Sequence, residues 1–337
     1  MRTLIKACFI LIFLNGCNDT SETTIDGKRI ELTYISRHDA FSDDLATPRY
    51  FANIKSIKNI GEELFFSDLG AGKIFVTDLG LKYKREFLNL GEGPEEVRTV
   101  LNIGVNNEDI VVPDYMTRKF LVMDKYGKVN NVLSPFFHQI TEENFFIKDD
   151  KIYFFDRKEC GIAIIDINSA ERKLINISRD VLQILPDERL PKVSVFSVGE
   201  NLVLLSHNMK PLVAIVDKEG ELLASENFQK NPFFSSSFRL QNKLDSEAQG
   251  SSVMFFNGAE IYQDNLFVIA GFRDEEENIR YNDLFVISLA NDKVELSQIL
   301  TLKASNWYKN FCIIPASRKM IFFDSANDNK YLDVYEF

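Results

Sequence analysis

Short apolar runs separated by polar turns recur along the chain. Glu63-Leu64-Phe65-Phe66-Ser67-Asp68 is followed by Lys73-Ile74-Phe75-Val76-Thr77-Asp78, and Asp109-Ile110-Val111-Val112 by Phe120-Leu121-Val122-Met123-Asp124. Equivalent pairs begin at Lys151 and Ile162, Asn201 and Leu212, Asn265 and Asp283, and Lys319 and Tyr331. The runs are β-branched or aromatic and bounded by turn residues, which is the strand signature; several are apolar without alternation, so both faces are expected to be buried. In the first three copies the step from the leading aliphatic residue to the closing aspartate is the same: Leu64 to Asp78, Ile110 to Asp124, Ile152 to Asp166.

Each pair has a strand before it, such as Phe51-Ala52-Asn53-Ile54-Lys55-Ser56-Ile57 or Val193-Ser194-Val195-Phe196-Ser197-Val198, and a turn after it, such as Asp124-Lys125-Tyr126-Gly127 or Asp217-Lys218-Glu219-Gly220. The glycines suit a left-handed turn position, and the aspartates read as turn formers. Four strands in a repeat of about 40–50 residues make a propeller blade. The expectation is therefore an all-β, six-bladed β-propeller of four-stranded antiparallel blades over residues 28–337. The alternating segment Lys28 to Ile35 serves as the N-terminal strand closing the last blade, which would remove exposed edges. Helical periodicity is confined to brief stretches such as Val181, Leu182 and Leu185. Long inserts at 228–250 and 271–283 are candidate docking arms.

The first residues follow a different pattern. Arg2 and Lys6 precede an apolar run that stops at Leu14-Asn15-Gly16-Cys17, the layout of an export signal and too short to span a bilayer. The Leu-x-Gly-Cys end resembles the bacterial lipobox, which implies removal of residues 1–16, lipidation of Cys17 and a polar tether over 17–27. At Leu90-Gly91-Glu92-Gly93-Pro94-Glu95-Glu96-Val97 the chain resembles the Gly-x-Gly-Pro-Gly-Glu-aromatic element of the six-bladed propeller lipoproteins of Bacteroidetes, relatives of TolB-like and NHL-repeat propellers. Glu95 stands where glycine is usual, and Val97 where an aromatic is usual. The resemblance implies a bacterial envelope lipoprotein, anchored in the outer membrane and facing the periplasm or the cell surface.

The formal charge of -11 becomes -13 without residues 1–16, which remove Arg2 and Lys6 and no acids. A surface that acidic repels phosphate backbones, so nucleic acid is not an expected partner. Cys160 and Cys312 fall three blades apart and read as buried free thiols rather than a disulfide. There are 3 histidines, His38, His138 and His207, and no Gly-x-Ser-x-Gly elbow, so neither a metal nor any other cofactor is expected.

Propeller geometry favours binding at the face where the middle-strand turns and the blade-to-blade links crowd the channel mouth. Residues placed there are Arg98, Tyr115, Arg118, Arg157, His207, Arg273 and Trp307. Such arginines would hold carboxylates by forked hydrogen bonds, or pair with the acids of the same loops, Asp68, Asp114, Asp156 and Asp274. The expected activity is non-catalytic binding of a peptide, glycan or partner protein. The alternative is a metal-assisted hydrolase or lyase using His138 and His207.

Overall fold

The computed structural model describes residues 28–41, 49–106, 109–134, 145–185, 192–246, 253–273, 279–303, 305, 307–326 and 330–337. Signal, Cys17 and tether lie outside them, as does His138. Among the described residues the strands form a six-bladed β-propeller. Blade one is Ile54–Ile60, Glu63–Asp68, Lys73–Asp78 and Tyr83–Phe87, and blade two is Gly104–Val105, Asp109–Asp114, Lys119–Asp124 and Val129–Leu133. Blade three is Phe146–Lys148, Lys151–Asp156, Gly161–Asp166 and Arg172–Asn176, and blade four is Val193–Val198, Asn201–Ser206, Leu212–Val216 and Leu222–Asn227. Blade five runs Phe256–Tyr262, Asn265–Arg273, Ile279–Ser288 and Glu295–Thr301. Blade six takes Tyr308–Ile314, Lys319–Asp324 and Tyr331–Glu336 from the C-terminus and its outer strand, Thr33–His38, from the N-terminal segment. Each inner strand packs on the next, and the sixth packs on the first.

Closure of the circle is visible in the core. Six apolar clusters fill the six interfaces between blades, from Phe65, Ile74 and Leu121 between blades one and two to Phe66, Ile321 and Phe323 between blades six and one. Both faces of a middle strand are therefore buried, which is why these strands carry unbroken apolar runs. At about 1.5–3 kcal/mol for each large side chain removed from water, these interfaces supply the main stabilisation.

The turn aspartates have the role their positions imply. Asp78 Oδ1 accepts from the backbone N–H of Gly80 and Lys82, and Asp124 Oδ1 from Tyr126 and Lys128. Asp166 and Asp217 do the same in blades three and four. Gly127 and Gly220 both sit at φ 89, and a Cβ on Gly220 would lie 2.2 Å from the Asn176 carbonyl oxygen.

The N-terminal strand is divided between two blades. Lys28–Glu31 pairs in parallel with Gln298 to Thr301 and gives blade five a fifth strand. Leu32, 6% exposed, then drops into the cluster between blades five and six, and Thr33–His38 runs antiparallel to Tyr331–Glu336. The described part of the 228–250 insert is not an extended arm. Two 3-10 turns and the helix Ser235–Ser246 bring Phe228, Phe234 and Phe238 onto the cluster between blades four and five. The 271–283 insert lengthens the middle strands of blade five to Arg273 and back from Ile279. The helix Arg179–Ile184 takes in Val181 and Leu182 and is followed by Leu185 in extended conformation.

Candidate functional site

The turn between the two middle strands of a blade lies beside the link that leads into its inner strand, and polar side chains clasp the two together. Asp68 accepts from the backbone N–H of Ala52 and Asn53 on the link and of Gly70 and Ala71 in the turn. Asp114 does so with Arg98, Met116 and Thr117, and Asp324 accepts from Ala326. Asp156 accepts from Lys158 and Glu159 and is paired with Arg172 at 2.8 Å. All four are buried. Blade four ends its second strand in Ser206 rather than aspartate, and Asn208 takes over, its Oδ1 accepting from Lys192 N–H at 2.7 Å. In blades one, two and four a polar clasp thus joins the turn to the link on the face that carries the channel mouth.

Within this face the inner strands enclose a cavity of about 140 Å³ on the axis. Lys55 comes from blade one, Asn102 from blade two, Lys192 from blade four, Asn257 from blade five, and Lys309 with Asn310 from blade six. Gly258 lets the inner strands of blades five and six close on each other, since a Cβ there would lie 2.7 Å from the Lys309 carbonyl oxygen. No acidic side chain lines the cavity among the described residues. All three lysines are half-buried, and Lys55 and Lys309 have no hydrogen-bonding or ion-pair partner among the described residues. Burial, then the Lys55 and Lys330 charges, push the Lys309 ammonium below its usual range.

His207 and Ser194 form one wall. Phe256 O can only accept, so the imidazole carries its proton on Nδ1 and donates it there at 3.2 Å, while Ser194 Oγ–H donates to Nε2 at 2.6 Å. Burial, with Lys192 adding to it, lowers the His207 pKa to about 4, so the ring is neutral at pH 7. A serine donating to a neutral histidine is also the arrangement of an activated nucleophile. Ser194, however, is fully buried and points at the ring, so the pair serves to tie blade four to the start of blade five.

Below the cavity, Glu260 on the same inner strand as Asn257 accepts from Ile313 N–H at 3.0 Å. Burial raises its pKa to about 7, partly offset by Lys58 of blade one and by the Ile313 bond. Cys312 is buried beside it, and burial and the Glu260 charge push its thiol up. Among the described residues neither Cys312 nor Cys160 is joined in a disulfide, and Cys160 is half-buried rather than buried.

Of the residues singled out from the sequence, His207 lines this cavity. Arg98 is exposed and paired with Glu92 beside the Gly91–Val97 loop. Tyr115 and Arg118 occupy the turn between the middle strands of blade two, and Arg118 adopts a left-handed φ of 56. Arg157 starts the corresponding turn of blade three, and Arg273 ends the second strand of blade five. Trp307 packs edge-on against Tyr281 at 5.2 Å. His38 lies on the outer strand of blade six with Nε2 3.0 Å from Ser36 Oγ. His138 and Asp274 lie outside the described residues, and among those described no group of three His, Cys, Asp or Glu side chains could hold a metal ion. The sequence alone does not single out these lysines, because each is one cation at or beside the start of an inner strand. Stacking the inner strands in register reveals them: Lys192, Lys55 and Lys309 all stand at the head of one.

The Gly91–Val97 loop closes on itself. Gly91 N–H donates to Val97 O, and Gly93 N–H donates to the Glu96 carboxylate at 2.9 Å. A Cβ on Gly91 would collide with that carboxylate, and Lys119 Nζ donates to the Gly93 and Pro94 carbonyls. The motif is therefore a packed link between blades one and two.

No protein-family model and no curated protein sequence matches the chain. Solved structures do resemble it. A member of the DUF4221 family from Bacteroides vulgatus is 12% identical, with 91% of this chain and 97% of that one covered at TM-score 0.56. Streptogramin B lyase is 12% identical, with 89% and 97% covered at TM-score 0.52. The β-propeller domain of Cps50 (Swd1) from Myceliophteria thermophila is 9% identical, with 90% and 100% covered at TM-score 0.52. At such identities the likeness is one of fold, and proteins named for an enzyme activity and proteins named for none share it.

Proposed function

We propose that the protein is a bacterial envelope lipoprotein, acylated on Cys17 after loss of residues 1–16, whose propeller binds a peptide, glycan or partner protein at the channel mouth without catalysing a reaction. The observation that carries this reading is the axial cavity, walled from five blades, in which two lysines have no partner within the described protein. Even a half-buried ammonium without a counter-charge loses part of its hydration on folding, and a ligand that supplies the charge offsets that cost. The hydrolase or lyase alternative would need His207 as a ligand or base, but both of its ring nitrogens are already engaged.

Two acyl chains hold a protein on a membrane durably. The ten residues between Cys17 and Lys28 reach at most about 35 Å, so the propeller would stay close to the bilayer. Lys28 joins the outer edge of blade five, away from the axial cavity, which leaves the mouth unobstructed by the anchor.

Immobilised full-length chain should retain a component of envelope extracts that a variant carrying Arg98→Glu, Arg118→Glu and Lys192→Glu does not. Equal retention by both would count against binding at this face. Labelled palmitate should enter the wild-type chain and not Cys17→Ser; equal labelling would remove the anchor.

A further inference from the structure

We propose that the axial cavity is a site for a small dianion bearing carboxylate or phosphate oxygens, held by Lys55, Lys309 and Lys192. The inference rests on the reading of the channel mouth as the binding face and names the chemistry of what sits there.

Three features converge on a ligand of this class. The first is charge: in a chain of net charge -11, three ammonium groups from blades one, four and six line one cavity that holds no acid among the described residues. His207 adds no charge at neutral pH, and Glu260, further down the channel, is held substantially protonated there, so neither offsets the lysines fully. The second is pairing. Lys84 pairs with Glu63 and Lys303 with Glu31 at 2.5 Å, whereas Lys55 and Lys309 face each other's charge with no acid lining the cavity among the described residues. One negative charge would leave that repulsion partly in place, and two would balance it.

The third feature is size and hydrogen bonding. A cavity of about 140 Å³ admits a carboxylate or phosphate group of a few heavy atoms, whether that group is a free small molecule or the end of a larger ligand seated at the mouth. Asn257 uses one carboxamide N–H on Tyr308 O, leaving a second to offer, and Asn310 likewise donates to Ile54 O. Lysine ammonium groups act as separate point charges, which suits an anion whose oxygens are spread over two ends or a tetrahedral centre.

The test is calorimetric titration of the purified full-length chain at neutral pH in a low-chloride buffer, using succinate, inorganic phosphate and, as the uncharged comparison, succinamide. Succinate or phosphate should bind at one site per chain, more weakly as salt is added, and succinamide should give no heat. Whichever of the two binds more tightly identifies the source of the oxygens. Lys55→Met and Lys309→Met should each weaken binding by about tenfold or more, as expected for losing a hydrogen bond to a charged group. Lys309→Arg, which keeps the charge, should retain most of it. At alkaline pH binding should take up protons, because the ligand restores the ammonium form of Lys309, so the heat should vary with the ionisation enthalpy of the buffer.

No binding of either anion, or binding that both methionine variants leave unchanged, would overturn the proposal. If anions fail while the extract component is still retained, the anion site falls and the broader reading stands. If anions bind but nothing is retained from extracts, the site stands as one for a free small molecule. Unpaired lysines are not needed for packing, so the variants should melt no lower than wild type; should they melt lower, Lys309→Arg and the proton uptake of the wild-type chain decide the matter.

Discussion

His207 and Glu260 are buried titratable groups on neighbouring inner-channel elements, and their effects on stability have opposite signs. His207 has its pKa lowered to about 4, so between pH 6.5 and 4 the unfolded chain takes up a proton that the folded chain refuses, and stability falls as the pH drops. The loss amounts to roughly 3 kcal/mol across the window. Glu260 has its pKa raised to about 7, so its contribution is fully present below about pH 4.5 and is lost as the pH rises through 7. Between about pH 4.5 and 6.5 the two slopes oppose each other. Glu260→Gln keeps an oxygen for Ile313 N–H and removes the buried charge; it should raise stability at pH 8 by about 2 kcal/mol and change little at pH 5. Denaturant melts at the two pH values check this, and an equal shift at both would refute the assignment. His207 is legible in the sequence as a middle-strand turn residue of blade four, but its partners are not: Ser194 meets it only through the register of the blade's inner strand, and Phe256 belongs to the next blade. The lysines of the axial cavity are not legible either: Lys55 and Lys309 are 254 residues apart, and only ring closure makes them neighbours.

At the scale of the element, hairpin turns and blade order could be read directly, since an Asp with a Gly three residues on is a local signal and Asp124, Asp217, Gly127 and Gly220 behave as that signal implies. Gly220→Ala should cost about 2 kcal/mol or more, since it forces a left-handed alanine and a clash with the Asn176 carbonyl, whereas Gly199→Ala meets open space and bears only the backbone term. Comparing the two thermal melts separates collision from conformation. The helix Ser235–Ser246 could not be read because its start, Ser235-Ser236-Ser237, is poor in helix formers, and it is the packing of Phe234 and Phe238 on Phe255 that holds it in place. Nor could the division of the N-terminal segment at Leu32 be anticipated. An alternating pattern identifies a strand, and it is silent on which edge that strand joins.

The whole molecule depends on that division. Arg37 on the outer strand of blade six binds Asp333 through Nε and Nη2, both at 2.7 Å, reaches Asp324 at 3.2 Å, and lies over the Tyr331 ring at 4.4 Å. Tyr308 donates to Asp333 at 2.6 Å and meets Tyr335 at 2.9 Å, so one guanidinium connects the N-terminal segment to all three C-terminal strands of blade six. Asp333 is fully buried, and Arg37→Met would strand it without a cation, which costs about 3–5 kcal/mol when one partner of a buried pair is removed. Changing Asp333→Asn together with Arg37→Met should recover part of the loss, because the uncompensated charge is gone. Recovery in the double variant argues for a closing ion pair, and its absence would mean that Arg37 acts only through packing. The N-terminal strand also sets what its loss would do. Deleting residues 28–38 removes Leu32 from the cluster between blades five and six and bares the edges of Glu295–Thr301 and Tyr331–Glu336. A propeller with two free outer edges should melt well below wild type and self-associate on a sizing column, the expected fate of unpaired strands. If the deleted chain stayed monomeric and melted with the intact protein, the circle would be held by its other five interfaces alone.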